Sequence, residues 1–154
     1  MGFRVIPIPF HMAEEARHTG RAPGYGHPVQ AGVASANGYG PCRSCLRRTL
    51  EGERRLLLNY NPYREPEEVG VVGPIFIHEA SCEPFAGAGF PEELRGLPMV
   101  LRGHLKGGAG VVNRKLQGEV PEKAIEALFQ DPGIAFIAIQ NAEAGCFIAR
   151  IERT

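Results

Sequence analysis

The run IAFIAIQN (Ile134 to Asn141) has almost no polar face, which predicts a central strand buried on both sides. CFIARIER follows after Ala142-Glu143-Ala144-Gly145, so the two segments are expected to pair as a closing hairpin. Just upstream, PEKAIEALFQ carries Ile125/Phe129 and Ala124/Leu128 at helical spacing. Pro121 suits its first position and Asp131-Pro132-Gly133 stops it, which makes it the main helix. MVLRGHL and GVVNRKL alternate as strands, joined through Lys106-Gly107-Gly108-Ala109. VVGPIFIHEA predicts another strand, with a bend or an edge at Gly73-Pro74. FPEELRGLP holds one short helical turn started by Pro91, and NPYREPEEVG is a polar loop. CRSCLRRTL and RRLLLNY flank Glu51-Gly52-Glu53 in the manner of a hairpin. At the N-terminus Pro7 and Pro9 keep Phe3 to Phe10 extended, and HMAEEARH predicts about two helical turns stopped by Gly20.

The result is an α+β domain: an antiparallel or mixed β-sheet of several hairpins with one main helix near the C-terminus. Residues 1–154 are read as a single domain. Within it 19–40, rich in Gly, Ala and Pro, form a loop or arm, and 41–154 form the core.

Charge narrows the function. Lys plus Arg and Asp plus Glu are 17 each, so no net field favours nucleic acid, and no apolar run is long enough to cross a bilayer. The start MGFRVIPIPF lacks a signal-peptide pattern, so the cytoplasm, where thiols stay reduced, is the expected compartment. Apolar strands need covered edges, which makes a homo-oligomer one expected arrangement.

PCRSCL (Pro41 to Leu46), LLLNY (Leu56 to Tyr60), GPIFIHEASCEPF (Gly73 to Phe85), LRGH (Leu101 to His104) and NAEAGCFIARIER (Asn141 to Arg153) occur in order. Together they resemble the domain of unknown function 1203 family of bacterial proteins, from Pro41 to the C-terminus. Family members usually carry a tyrosine after Arg-Gly, where this chain has His104. The resemblance implies no activity, so the chemistry has to come from the residues.

Cys42 and Cys45 stand three apart. A chelate needs the chain to turn between such thiols, and a redox pair needs a helix start at the first one. Strand alternation instead sends them to opposite faces about 10 Å apart, which predicts no shared metal, no disulfide and no cofactor. The competing arrangement is a zinc set of Cys42, Cys45, Cys82 and Cys146, with His78 as an alternate ligand. On a strand, Arg43, Cys45 and Arg47 would share a face, which makes Cys45 the thiol expected to react first if exposed.

Arg102 and His104 share a strand face opposite Met99 and Leu101 and could clamp a carboxylate or phosphate. The ligand-binding candidates are therefore Arg43, Arg102, His104 and His78, and the catalytic candidates are Cys45 and His104. KGGAG leads into a strand rather than a helix, so it is not a phosphate loop. A lone aspartate, Asp131, argues against Asp-based metal catalysis. Two functions compete. One is a small soluble binding or interaction module whose polar Arg/His strand face takes a small anion or a protein partner. The other is a thiol- or zinc-dependent small enzyme using the Cys-x-x-Cys region.

Overall fold

The computed structural model describes residues 2–35, 40–62 and 73–154; most of the polar loop NPYREPEEVG lies outside them. Among the described residues, eight strands and two α-helices follow in the order β1 (Phe3–Ile6), α1 (Phe10–Thr19), β2 (Gln30–Val33), β3 (Arg54–Tyr60), β4 (Gly73–His78), β5 (Met99–Leu105), β6 (Val111–Leu116), α2 (Pro121–Phe129), β7 (Ile134–Asn141) and β8 (Phe147–Arg153). They build two antiparallel sheets, β1-β8-β7-β5-β6 and β2-β3-β4. The α+β class stands.

β7 occupies the middle of the larger sheet, and its composition explains why. Side chains alternate across a strand, so both faces of a central strand need apolar cover. Ile137 and Ile139 join Leu101, Ile151 and the inner face of α2 in one core. Phe136 and Ala138 point the other way, into a second core with Ala13 and Ala16 of α1, Leu56, Leu58, Ile75 and Ile77 of the small sheet, and Cys42 and Cys45. The molecule is thus layered: α2, the five-stranded sheet, then α1 with the three-stranded sheet.

Arg153 fastens α2 to its sheet. Its guanidinium donates to the carbonyls of Phe129 (3.1 Å) and Asp131 (2.9 Å) and lies 4.4 Å over the Phe129 ring. A cation there satisfies carbonyls that the helix end leaves open.

Two expectations need correction. The segment 19–40 is not loop throughout: Gln30–Val33 forms β2 and pairs with β3, Gln30 opposite Leu57 and Val33 opposite Arg54. CRSCLRRTL is not the partner of RRLLLNY either. β3 lies between β2 and β4, and Pro41 to Arg48 closes on itself as a turn bridged by Pro41 and Arg48. Alternation was the wrong period there, because hydrogen bonds within the segment replace ladder bonds to a neighbour.

Phe129 is 2 % exposed in the α2 core. Phe129→Ala is expected to lower unfolding free energy by about 3–5 kcal/mol in urea titration, the cost of a large buried ring. A loss under about 1 kcal/mol would mean that the ring contributes little to the core.

Candidate metal centre

The turn begins with Cys42. Its N–H donates to the Arg47 carbonyl (2.9 Å), and the Leu46 N–H returns to the Cys42 carbonyl (2.8 Å). Leu46 takes φ 59°, the left-handed region that a branched side chain normally avoids. That strain costs on the order of 1–2 kcal/mol and is offset by burying the Leu46 side chain against the α2 core. The reversal brings the two thiols to one side of the turn.

The turn is then seated on the free edge of β4. The Arg43 N–H donates to the Phe76 carbonyl (3.0 Å), and the His78 N–H donates to Cys42 Sγ (3.3 Å). Beneath it, buried Arg43 donates through Nε to the Phe147 carbonyl and through Nη1 to the Pro41 carbonyl, each at 2.7 Å. Burial pushes the Arg43 guanidinium down to about 10. Past β4 the chain turns back, and the Phe85 N–H on the Ser44 carbonyl (2.9 Å) fixes the return that carries Cys82.

Three sulfurs and an imidazole meet there. The ligand atoms of Cys42, Cys45, His78 and Cys82 all lie within 4.8 Å of one another. Cys42 Sγ is 3.8 Å from Cys82 Sγ, and Cys45 Sγ is 3.5 Å from His78 Nδ1. A sulfur pair at that distance is not a disulfide, whose bond is about 2.05 Å. It does match a tetrahedral zinc centre: metal–sulfur bonds of about 2.3 Å and metal–nitrogen bonds of about 2.05 Å imply S–S edges near 3.8 Å and S–N edges near 3.6 Å. The donor set and spacing therefore fit a metal ion.

The surroundings suit such a centre. With Nδ1 facing the sulfurs, His78 Nε2 faces Glu53 Oε1 at 3.3 Å. The Leu50 N–H, foremost, and then His78 hold the Glu53 carboxyl below the usual carboxylate range, so it stays an acceptor at neutral pH. A carboxylate behind a ligating imidazole fixes both tautomer and ring orientation. Arg17 of α1 donates through Nε to the His78 carbonyl (3.0 Å) and through Nη2 to Cys82 Sγ (3.4 Å). Arg47 is held above the ordinary guanidinium value, chiefly by its hydrogen bond to Cys45. Within the crowded thiols, bonds from Cys45 and Cys82 hold Cys42 far below the ordinary thiol value, and bonds with Cys42, foremost, and Cys45 push Cys82 up.

This geometry overturns the strand reading of CRSC. Cys42 and Cys45 share one cluster instead of facing apart, so the expectation of no shared metal loses its basis. Arg43 does not flank Cys45 on an open face, and Cys45 is only 5 % exposed. The fourth ligand position goes to His78; Cys146 lies outside the cluster, its Sγ 4.0 Å from the Ala144 carbonyl.

Arg102 and His104 sit on β5 in the other sheet and do not join the four ligands. His104 is buried and stacks on Phe136 with ring centroids 4.4 Å apart, while Arg150 lies 3.7 Å over the same Phe136 ring. The Nε of Arg102 is buried without a hydrogen-bond partner among the described residues.

The family model for proteins of unknown function, DUF1203, matches residues 39–153. The chain belongs to the DUF1203 family. No curated protein and no solved structure matches it. All four candidate ligands and Glu53 fall inside the DUF1203 region, whereas Arg17 of α1 lies before it. The signal for the full set was present in the sequence as Cys-x-x-Cys followed by His78-x-x-x-Cys82, two short-spaced donor pairs of the kind that clasp zinc.

Replacing Arg43 by Ala would remove the donors that the Phe147 and Pro41 carbonyls use. Each buried carbonyl left open costs about 1–3 kcal/mol, so a destabilisation of about 2–6 kcal/mol is expected by chemical denaturation. A change below about 0.5 kcal/mol would show that the turn does not depend on this guanidinium.

Proposed function

We propose that this chain is a zinc-binding module in which Cys42, Cys45, Cys82 and His78 Nδ1 hold one ion in a closed tetrahedral site. The single observation that carries the reading is the pair of distances, 3.8 Å between sulfurs and 3.5 Å between sulfur and nitrogen, at the edges of a zinc tetrahedron. Four protein donors leave no open position for substrate or activated water, which favours a structural ion and a binding role over a zinc hydrolase. The ion would join three separate pieces of chain: the turn, the end of β4 and the return segment. Its thiolates need a reducing compartment, which agrees with a cytoplasmic protein.

Protein purified without chelator should contain one zinc per chain by elemental analysis. Cobalt substitution should give the intense visible absorption of a tetrahedral thiolate site. His78→Ala or Cys45→Ala should abolish stoichiometric binding. A wild-type protein that stays metal-free after exposure to excess zinc, with a flat cobalt spectrum, would overturn the reading.

Glu53 offers a finer test. Glu53→Ala should weaken zinc affinity by about 10–100-fold, measured by competition with a chromogenic chelator, because the His78 ring loses its orienting acceptor. Glu53→Gln keeps an oxygen acceptor and should retain most of the affinity. Equal affinity in all three proteins would remove Glu53 from the centre.

A further inference from the structure

The four ligands are not equally sheltered. Cys42 is fully buried and Cys45 is 5 % exposed, but Cys82 is only half-buried. Cys82 forms part of the wall of a 390 Å³ cleft that opens to solvent, together with Arg47, Glu53, His78 and Ser81. It is also the one cysteine of the cluster carried by irregular backbone after β4 rather than by the hydrogen-bonded turn. Directly behind it, 3.8 Å away, lies the Cys42 sulfur. On its flank, the Arg17 Nη2 reaches Cys82 Sγ at 3.4 Å.

We propose that Cys82 is an oxidation site for hydrogen peroxide, and that Cys42 resolves the oxidised sulfur into a Cys42–Cys82 disulfide that expels the metal. The proposal rests on the zinc reading above. In the first step Cys82, a thiolate by virtue of the proposed zinc ligation, attacks one peroxide oxygen. An S–O bond forms, the O–O bond breaks, and the departing hydroxide takes a proton to become water. Sulfur is oxidised to the sulfenic acid and peroxide is reduced. The Arg17 guanidinium stands beside this sulfur and offers N–H donors to the oxygen that leaves.

In the second step the Cys42 thiolate attacks the Cys82 sulfur. An S–S bond forms, the S–O bond breaks, and a second hydroxide is protonated to water. Two thiolates, one peroxide and two protons thus become one disulfide and two waters. The ion then keeps only Cys45 and His78, too few donors to retain it. Cys42 is assigned as the resolving partner on its 3.8 Å approach to Cys82, whereas Cys45, also near Cys82, is in addition engaged by His78 Nδ1 at 3.5 Å and by Arg47. A dithiol reductant reverses the disulfide, and the free thiols can reload.

The experiment uses zinc-loaded full-length protein treated with hydrogen peroxide, following released zinc with a chromogenic chelator and mapping cysteines by mass spectrometry. One zinc should leave for each Cys42–Cys82 disulfide formed, and dithiothreitol with zinc should restore the starting state. In short pulses with dimedone, Cys82 of the wild-type protein should carry the first adduct. Cys42→Ser should accumulate that adduct and form no disulfide, and Cys82→Ser should slow release by about tenfold or more. Where a serine variant does not hold zinc, the wild-type dimedone map decides. A loaded protein that keeps its zinc in peroxide, labels first at Cys45 or Cys146, or links Cys42 to Cys45 would overturn the oxidation site and leave the zinc site standing. A wild-type protein that never loads zinc would overturn both.

Discussion

Everything near the cluster hangs on the docking of the Pro41 to Arg48 turn against the edge of β4. An edge strand presents unpaired backbone groups, and a domain has to cover or pair them. Here the turn supplies the cover: the Phe76 carbonyl is taken by Arg43 and the His78 N–H by the Cys42 sulfur. The bond that closes the sheet edge is therefore also the bond that aims a ligand. Site and fold are not separable at this point, since displacing the turn would open the edge and scatter the donors together.

The buried Arg43 raises an electrostatic question of its own. A guanidinium removed from water is costly unless negative charge lies nearby, yet its hydrogen bonds go to two carbonyls rather than to a carboxylate. A zinc ion with three thiolates and one neutral imidazole carries a net charge of −1. Cys42, one of its ligands, follows directly on Pro41, whose carbonyl Arg43 holds. The cation and the anionic centre would then stabilise each other across the turn. Arg17 and Arg47 add positive charge at the rim, on Cys82 and Cys45. With the proposed zinc bound, such a balance would lower the cost of burying its thiolate ligands.

The parts legible in the sequence were those where one period governs a whole element. IAFIAIQN had to be central because no face of it could meet water, and PEKAIEALFQ had its stripe and its proline start. The hairpins β5-β6 and β7-β8 announced themselves by short glycine-bearing links between apolar runs. The cluster of three cysteines and His78 was not legible in this way, since its geometry rests on one residue in an unusual conformation. Leu46 carries a side chain that rarely adopts the left-handed region, and the long-range burial of that side chain helps make φ 59° tolerable. β2 escaped notice for the opposite reason: all four of its residues are exposed, so it has no hydrophobic pattern to read. What the spacing did offer was His78 four residues before Cys82, a clue that outranks strand alternation only if the turn is already suspected.

A second turn in the molecule shows what the first would be without its thiols. In Arg21 to Pro28 the Ala22 N–H donates to the His27 carbonyl (2.9 Å) and the Gly26 N–H to the Ala22 carbonyl (2.8 Å), with a bridge between Arg21 and Pro28. Position for position this is the bonding of Cys42, Arg47 and Leu46. The left-handed position is held by Gly26 at φ 81°, where glycine meets no steric cost. The same backbone shape thus forms with no cysteine and no ligand set, closed by its own hydrogen bonds. For the cysteine turn it follows that a metal is not needed to bend the chain. The bend is set by backbone bonds and by the anchor of Leu46, so Cys42 and Cys45 stand together before any ion arrives. Cys82 comes from the return segment, which the Phe85 N–H on the Ser44 carbonyl fixes, and it is the least buried of the three sulfurs. The proposed zinc would therefore meet two sulfurs preset by one turn and a third on a more exposed segment.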